Sequence, residues 1–205
     1  MKGGYYRVDL NDQVSALVLN TLYYDSKRDY KISPDMGAGD EEMRWLEMQL
    51  SEDSARKFII TYHVYPGSRY NNFALWNDKP NHTYFDMLRR YKDRVIVEIG
   101  GHDHLASLRS HSGSDVLNLE DPETTFDFHN LIIAPSFTPW YKNNPAVSRF
   151  TVDDRTLVPK GFESTYWNLK PTIGHPHIMS YPELSFRDLD YASDFGIDEL
   201  TAESI

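Results

Sequence analysis

Residues 94–111 read RVIVEIGGHDHLASLRSH, and this stretch decides how the chain folds and where a site can lie. The β-branched run at 94–99 predicts a buried strand. Two glycines follow it, and glycines allow a tight turn and a close backbone approach to a ligand. His102 and His104 come next, separated by one aspartate. In extended backbone, residues i and i+2 point to the same side, so we expect both imidazoles to reach one ion or two adjacent ions.

A second strand end carries another histidine. The run KFIITYH at 57–63 predicts a strand that ends on His63, and the Pro-Gly pair at 66–67 predicts a turn directly after it. In α/β sheets, sites collect in the crevice beyond the carboxyl ends of the strands. We therefore expect His63, His102 and His104 to lie close together.

His175 and His177 repeat the Gly-His-x-His pattern and serve as an internal control. No apolar strand run precedes them and Pro176 separates them, so this pair predicts a solvated turn rather than a site. A lone histidine at a strand end is more often a surface or hydrogen-bonded residue than a ligand. For the same reason we expect Asp103 to be a solvated turn residue and not a metal ligand.

The remaining elements alternate between helices and strands. Three carboxylates at 40–42 favour a helix start, and the apolar spacing that follows gives a stripe that packs on a sheet. This order predicts an α/β fold, a mixed-sheet layered sandwich with helices on one face. Beyond about residue 158 the periodicity weakens. The other predicted elements are a helix at 82–94 and strands at 15–20, 105–111, 130–136 and 146–153.

Composition narrows the function classes. The chain has 205 residues, 40% of them apolar, and a formal net charge of −10, which opposes broad contact with a phosphate backbone and makes nucleic acid an unexpected partner. The absence of cysteine excludes disulfides and thiolate ligands, so a metal must be held by His, Asp, Glu or Asn. No apolar stretch approaches the ~20 residues of a membrane span.

Several segments resemble a known family. Residues 62–67, YHVYPG, resemble the His-x-Pro-Pro-Gly segment of calcineurin-like metallophosphoesterases, and residues 101–104 resemble their Gly-His-x-His signature. The likeness narrows to the acid-sphingomyelinase-like phosphodiesterase branch and covers about residues 3–170. The segments that carry it are GGYYRVD at 3–9, LVLNTLYY at 17–24, WLEMQLSE at 45–52 and APSFTPWYKNNPAVSRFTVD at 134–153.

This resemblance implies a fold, a reaction and metal ligands. Members of the family have a four-layer α/β/β/α sandwich and hydrolyse phosphodiesters or phosphomonoesters with two divalent metal ions. By likeness, His63 and His102 bind one ion and His104 binds the other. The implied mechanism is attack on phosphorus by a hydroxide that the two ions activate. Zinc is the first expectation for the metal, with iron or manganese as alternatives.

The chain also departs from the family pattern. The family has an Asp-x-His, a Gly-Asp and a Gly-Asn-His upstream of the segment at 62–67, and none occurs in that order here. The chain therefore resembles the C-terminal half of the domain over 1–158, with 159–205 as a family-like tail packing on it. One metal would keep His63 and His102, and the other only His104. We accordingly expect weak or partial metal binding and little turnover in this chain alone.

Two functions remain open from the sequence. The first is a hydrolase whose complete form cleaves phosphate esters, and the alternative is a non-catalytic binding module or pseudoenzyme that keeps the half-fold. The expected partners are a phosphate-ester small molecule or lipid, and the missing N-terminal half or a self-associated copy docking at an exposed sheet edge. The resemblance implies a secreted or lysosomal protein, although residues 1–20 lack a signal-peptide core. The loops at 66–82 and 112–128 are the candidate substrate selectors.

Overall fold

The computed structural model describes residues 3–27, 36–52, 55–69, 73–110, 130–169, 186–190, 193, 194 and 196. Two helices and nine strands, with three short 3-10 turns, make up the described chain. The helices are α1 (Met36–Ser51) and α2 (Asp78–Arg90). The strands are β1 (Tyr6–Asp9), β2 (Val14–Val18), β3 (Lys57–Thr61), β4 (Val95–Gly100), β5 (Ser107–Ser110), β6 (Asn130–Ile133), β7 (Ala146–Val152), β8 (Pro159–Trp167) and β9 (Phe186–Asp190).

A six-stranded mixed sheet forms the centre of the fold, with strand order β1-β2-β3-β4-β6-β5. The four inner strands are parallel to one another, and each edge strand is antiparallel to its neighbour. Parallel strands need crossover connections, and α1 and α2 supply them between β2 and β3 and between β3 and β4. The predicted mixed sheet is confirmed.

Both helices pack on one face of this sheet. The predicted stripe Met43, Leu46 and Leu50 on α1 is at most 6% exposed, and it joins the main core with the apolar face of α2. Full burial of such a side chain stabilises the fold by roughly 1.5–3 kcal/mol. The core residues that the helices and the sheet share include Leu17, Phe58, Ile60, Tyr84, Phe85, Leu88, Leu131 and Ile133.

The opposite face of the sheet meets a second, three-stranded antiparallel sheet of order β7-β8-β9. Phe162 of β8 is buried against Val97 of β4 and Ile132 of β6. The described chain therefore has three layers, helices, mixed sheet and second sheet, which confirms the α/β layered sandwich.

Three features of the fold differ from the sequence prediction. Helix α1 begins at Met36 rather than at the carboxylates 40–42, which therefore lie inside the helix. Helix α2 begins at Asp78 rather than at 82, because Asn77 is extended and Pro80 is tolerated in a first helical turn. Strand β8 was not predicted, since it opens on a proline and Gly161 interrupts its alternation. It follows the predicted boundary at 158 and pairs with β7.

The domain division stays a prediction, while the His175–His177 pair and the loop at 112–128 lie outside the described residues.

No helix within the described residues is long and apolar enough to cross a membrane. The edge strand β1 exposes 36% of Tyr6 and 44% of Val8. Between them, Arg7 turns to the helix side, where its guanidinium lies 5.8 Å from the Phe58 ring centroid. The sequence predicts an exposed sheet edge, and β1 is such an edge. The docking of an N-terminal half or of a second copy on this edge stays a prediction.

Gly100, at the end of β4, provides a direct test of the packing. A Cβ atom there would lie 3.1 Å from the Tyr62 ring, 3.2 Å from Tyr65 Cβ and 3.3 Å from Ile133 Cδ1. We expect Gly100→Ala to lower the free energy of unfolding by about 1–3 kcal/mol through overpacking, measured by urea denaturation. The matched control is Gly161→Ala in β8, where the nearest atom would be 3.9 Å away. Equal effects of the two substitutions would contradict this packing.

Candidate metal centre

The site lies where β3 and β4 end side by side. Because the two strands are parallel, their carboxyl ends meet at one edge of the sheet. The backbone ladder continues beyond both strands: Tyr62 N donates to Ile99 O at 3.1 Å, and Gly101 N donates to His63 O at 3.0 Å. These bonds fix the backbone of His63 beside the segment that leads to His102.

The structure brings the imidazoles of His63 and His102 together. His63 Nε2 and His102 Nδ1 are 3.4 Å apart, and the ring planes are perpendicular at 89°. Two nitrogen ligands on one tetrahedral zinc ion, each at 2.0–2.1 Å from it, are separated by about 3.3 Å. The separation in the structure therefore fits two ligands of a single ion.

The environment of His102 favours the neutral form of its imidazole. Burial lowers the pKa of His102 below the ordinary value of 6.5, and the nearby charges of Arg69 and His63 lower it further. Asp103 and Asp25 oppose this shift less strongly. A neutral imidazole has a free lone pair, which metal coordination requires.

The backbone through the histidine pair is strained rather than extended. His102 has φ 77° and His104 has φ 63°, a left-handed region that non-glycine residues rarely occupy. The prediction that extended backbone turns both imidazoles to one side is wrong. The strained segment is fixed by three hydrogen bonds: Asp103 N to Gly101 O at 3.0 Å, and Ser136 N and Asn143 Nδ2 to His104 O at 3.2 and 3.1 Å.

His104 does not join the other two histidines. Within the described ranges, no three His, Cys, Asp or Glu side chains form a group that could hold a metal ion. The His104 ring packs 5.4 Å from that of Tyr141, and its buried Nδ1 has no hydrogen-bond partner among the residues that the structure describes. A role for His104 in a second metal position stays a prediction, as does metal binding by His63 and His102.

The glycines act differently from what the sequence predicts. Neither Gly100 nor Gly101 has positive φ. Gly100 instead provides space, because a Cβ there would lie 3.1 Å from the Tyr62 ring, whereas a Cβ on Gly101 would make an ordinary contact at 3.4 Å from His63 Nδ1. Gly67 does adopt φ 82°, and its N–H donates to Asn81 Oδ1 at 2.8 Å, so the predicted turn after His63 is present.

Asp103 is not the solvated turn residue that the sequence predicts. Its side chain is only 9% exposed and accepts a hydrogen bond from the Tyr65 hydroxyl. Arg69 Nε lies 2.7 Å from Oδ1, close enough for an ion pair but without hydrogen-bond alignment, and Arg109 Nη2 lies 3.8 Å from Oδ2. The sequence gives no local signal for these contacts, because Tyr65 and Arg69 lie more than thirty residues upstream of Asp103.

A buried carboxyl lies behind the site, and sequence reasoning missed it. Glu98 of β4 is fully buried, and the hydroxyls of Tyr62 and Tyr84 both donate to its Oε2 at 2.6 Å. Burial raises the pKa of Glu98 to about 7, although the two tyrosine hydrogen bonds act in the opposite direction. This network ties β3, β4 and α2 together directly behind His63. A charged residue inside an apolar strand run was the available signal, since such a residue needs partners when it is buried.

The chain resembles one curated protein over most of its length. It is 26% identical over 180 residues to the cyclic GMP-AMP phosphodiesterase SMPDL3A of Bos taurus. The match covers 82% of this chain and 38% of the relative, so the chain spans well under half of that protein's length. No protein-family model matches the chain.

The similarity to this phosphodiesterase supports the predicted resemblance to the metallophosphoesterase superfamily. It agrees with the motifs at 62–67 and 101–104, and it relates the chain to a phosphodiesterase. The relationship does not identify a metal.

Solved structures show weaker likenesses. A dimetal phosphatase from Danio rerio has TM-score 0.46 and 11% identity, with 79% of this chain and 57% of that chain covered. GAP50, described as the anchor in the inner membrane complex of Plasmodium, has TM-score 0.40 and 13% identity, with 91% and 56% covered. A putative 5'-nucleotidase from Staphylococcus aureus has TM-score 0.30 and 11% identity, with 80% and 26% covered. At these TM-scores the likenesses carry no argument about function.

The raised pKa of Glu98 predicts a pH dependence of stability. A carboxyl whose pKa rises from 4.5 to about 7 on folding holds its proton more tightly in the native state. Its contribution to stability is therefore complete below pH 4.5 and is lost as the pH rises to about 7. We expect Glu98→Gln, which cannot ionise, to gain stability relative to the wild type across that window, on the order of 3 kcal/mol. Urea denaturation from pH 4.5 to 8 measures this difference.

Glu52→Gln is the matched control for this experiment, because the Glu52 side chain is 53% exposed. Its stability difference from the wild type is expected to stay constant with pH. A constant difference for Glu98→Gln as well would contradict the buried, high-pKa state of Glu98.

Proposed function

We propose that this chain is the histidine-bearing part of a metal-dependent phosphoester hydrolase, in which His63 and His102 hold one divalent ion and His104 contributes to a second. The observation that carries the proposal is the 3.4 Å separation of His63 Nε2 and His102 Nδ1, which suits two ligands of one tetrahedral ion. Phosphodiesters are the proposed substrate class, because the bovine relative is named as a phosphodiesterase.

The donor atoms suit zinc first and iron or manganese second. A divalent ion held there would supply Lewis-acid polarisation of a phosphoryl oxygen and a hydroxide nucleophile at neutral pH. The chain's own contribution is to hold the two imidazoles in place. The bond from Gly101 N to His63 O and the strained turn at His102 fix the donors on two adjacent strand ends. Fixed donors do not have to be reorganised when the ion binds.

The alternative function is a non-catalytic binding module that keeps the half-fold. It is favoured by one observation, that no group of three metal-binding side chains forms among the residues that the structure describes. Under this alternative the histidine pair could still bind an ion, but hydrolysis would be absent.

Zinc binding tests the histidine pair. We expect isothermal titration calorimetry of the chain to show zinc binding, and His63→Ala or His102→Ala to weaken it at least tenfold because each removes one of two donors. His104→Ala is expected to leave this ion in place, since His104 is not grouped with the pair. Cobalt substitution gives an independent readout through its visible absorption.

His82→Ala is the control, because His82 lies within α2 rather than at the end of β3 or β4. Zinc binding that is as strong in His63→Ala as in the wild type would contradict the proposed centre. Equal weakening by His82→Ala would show that zinc binds to surface histidines in general.

Turnover separates the two functions. We propose that cleavage of bis(p-nitrophenyl) phosphate by this chain is slow, requires added zinc or manganese and disappears in His102→Ala. Zinc binding without cleavage under any of these metals would favour the binding module. Cleavage that survives both metal chelation and His102→Ala would refute a metal-dependent hydrolase.

A further inference from the structure

Two arginines converge on one carboxylate beside the histidine pair. Arg69 Nε lies 2.7 Å from Asp103 Oδ1, and Arg109 Nη2 lies 3.8 Å from Asp103 Oδ2. Asp103 itself lies between His102 and His104 in the chain, so its partners stand next to the candidate metal centre. The guanidinium of Arg69 is close enough to His102 that its charge acts on the imidazole.

Both arginines are held in place by contacts other than Asp103. Arg109 Nη1 donates to Ser68 O at 2.9 Å, and its guanidinium lies 4.7 Å from the Tyr65 ring centroid. Arg69 N donates to Phe73 O at 3.0 Å, which holds the backbone of Arg69. Side chains that are already ordered lose little further entropy when they bind a ligand.

The cluster of Arg69, Arg109 and Asp103 retains positive charge and N–H donors that can bind a ligand. Two guanidinium charges against the single Asp103 carboxylate leave one positive charge at the cluster. The contacts described above use Nε of Arg69 and both Nη atoms of Arg109, whereas each guanidinium offers five N–H donors. The arginine side chains are 24% and 27% exposed, so solvent reaches both.

We propose that Arg69 and Arg109, positioned by Asp103, bind an anionic phosphoryl group of the substrate beside the histidine centre, which selects phosphate esters that carry a second phosphoryl group. This inference deepens the proposed function and rests on it for the identity of the reaction. A planar guanidinium matches two phosphate oxygens at once, which a lysine does not. The chain carries a net charge of −10, so a polyanionic substrate needs such a local positive site.

Pyrophosphate binding in the presence of a chelator tests the arginines without any metal. We expect the wild-type chain to bind inorganic pyrophosphate more tightly than inorganic phosphate at low salt, measured by calorimetry. The double variant Arg69→Gln/Arg109→Gln is expected to weaken pyrophosphate binding at least about tenfold, because charge-assisted hydrogen bonds are lost. The double variant Arg69→Lys/Arg109→Lys should bind with intermediate affinity, since it keeps the charge but not the planar fork.

Arg149→Gln is the matched control, because Arg149 also pairs with a carboxylate, Glu163, on the second sheet. Its pyrophosphate affinity should equal that of the wild type. Failure of the wild type to bind pyrophosphate, or equal weakening by Arg149→Gln and the double variant, would overturn the proposal.

A measurement on the unaltered chain covers the case in which the variants do not fold. Phenylglyoxal modifies accessible arginines, and peptide mass mapping reports each site. Pyrophosphate should protect Arg69 and Arg109 from modification and leave Arg149 unprotected. Equal modification of Arg69 and Arg109 with and without pyrophosphate would refute the site. Because chelator is present throughout, these results are independent of zinc binding by His63 and His102, and the failure of one proposal is distinguishable from the failure of the other.

Discussion

Parallel pairing of β3 with β4 is the constraint on which the site depends. The two strands match Thr61 with Ile99, and the ladder continues until Gly101 N meets His63 O. A shift of this register by one residue would turn every side chain of β4 to the opposite face. Glu98 would then leave its two tyrosines, and the His102 segment would no longer lie beside His63. The same register therefore determines both the core and the position of the two donor nitrogens.

The core between the mixed sheet and the two helices contains two buried carboxyl groups, which is unusual for an apolar core. Glu98 accepts hydrogen bonds from the hydroxyls of Tyr62 and Tyr84. A second buried carboxyl, Glu42, accepts hydrogen bonds from Asn20 N at 2.6 Å and from the Tyr24 hydroxyl at 2.8 Å. Burial raises the pKa of Glu42 to about 7 as well. Such groups cost free energy unless their hydrogen bonds are made, and they restrict how neighbouring elements can pack. Each one joins a strand or a strand end to the helix layer near the carboxyl edge of the sheet.

Local apolar patterns were sufficient to predict most of the fold. The runs at 57–63 and 94–99 are apolar over a strand's length, so β3 and β4 are found where the sequence predicts them, whereas α1 carries the predicted stripe but begins four residues before the predicted start at 40. Strand β8 lacks such a pattern, because Pro159 and Gly161 break it. The sequence also predicted correctly that His63 and His102 lie close together, since the carboxyl ends of parallel strands meet at one edge of the sheet.

The details of the site depend on contacts that no local pattern encodes. His104, which has positive φ, accepts hydrogen bonds at its backbone oxygen from Ser136 N and Asn143 Nδ2, more than thirty residues downstream. The burial of Asp103 depends on Arg69 and Arg109, which approach it from different segments. Sequence spacing predicts which residues meet at a strand end, whereas the orientation of their side chains follows from these distant contacts.

Diffraction at the zinc absorption edge, from crystals of the chain grown with zinc, tests the central claim most directly. We expect an anomalous peak about 2.0–2.1 Å from both His63 Nε2 and His102 Nδ1. A zinc peak at other residues, with the two imidazoles still 3.4 Å apart and unliganded, would contradict it.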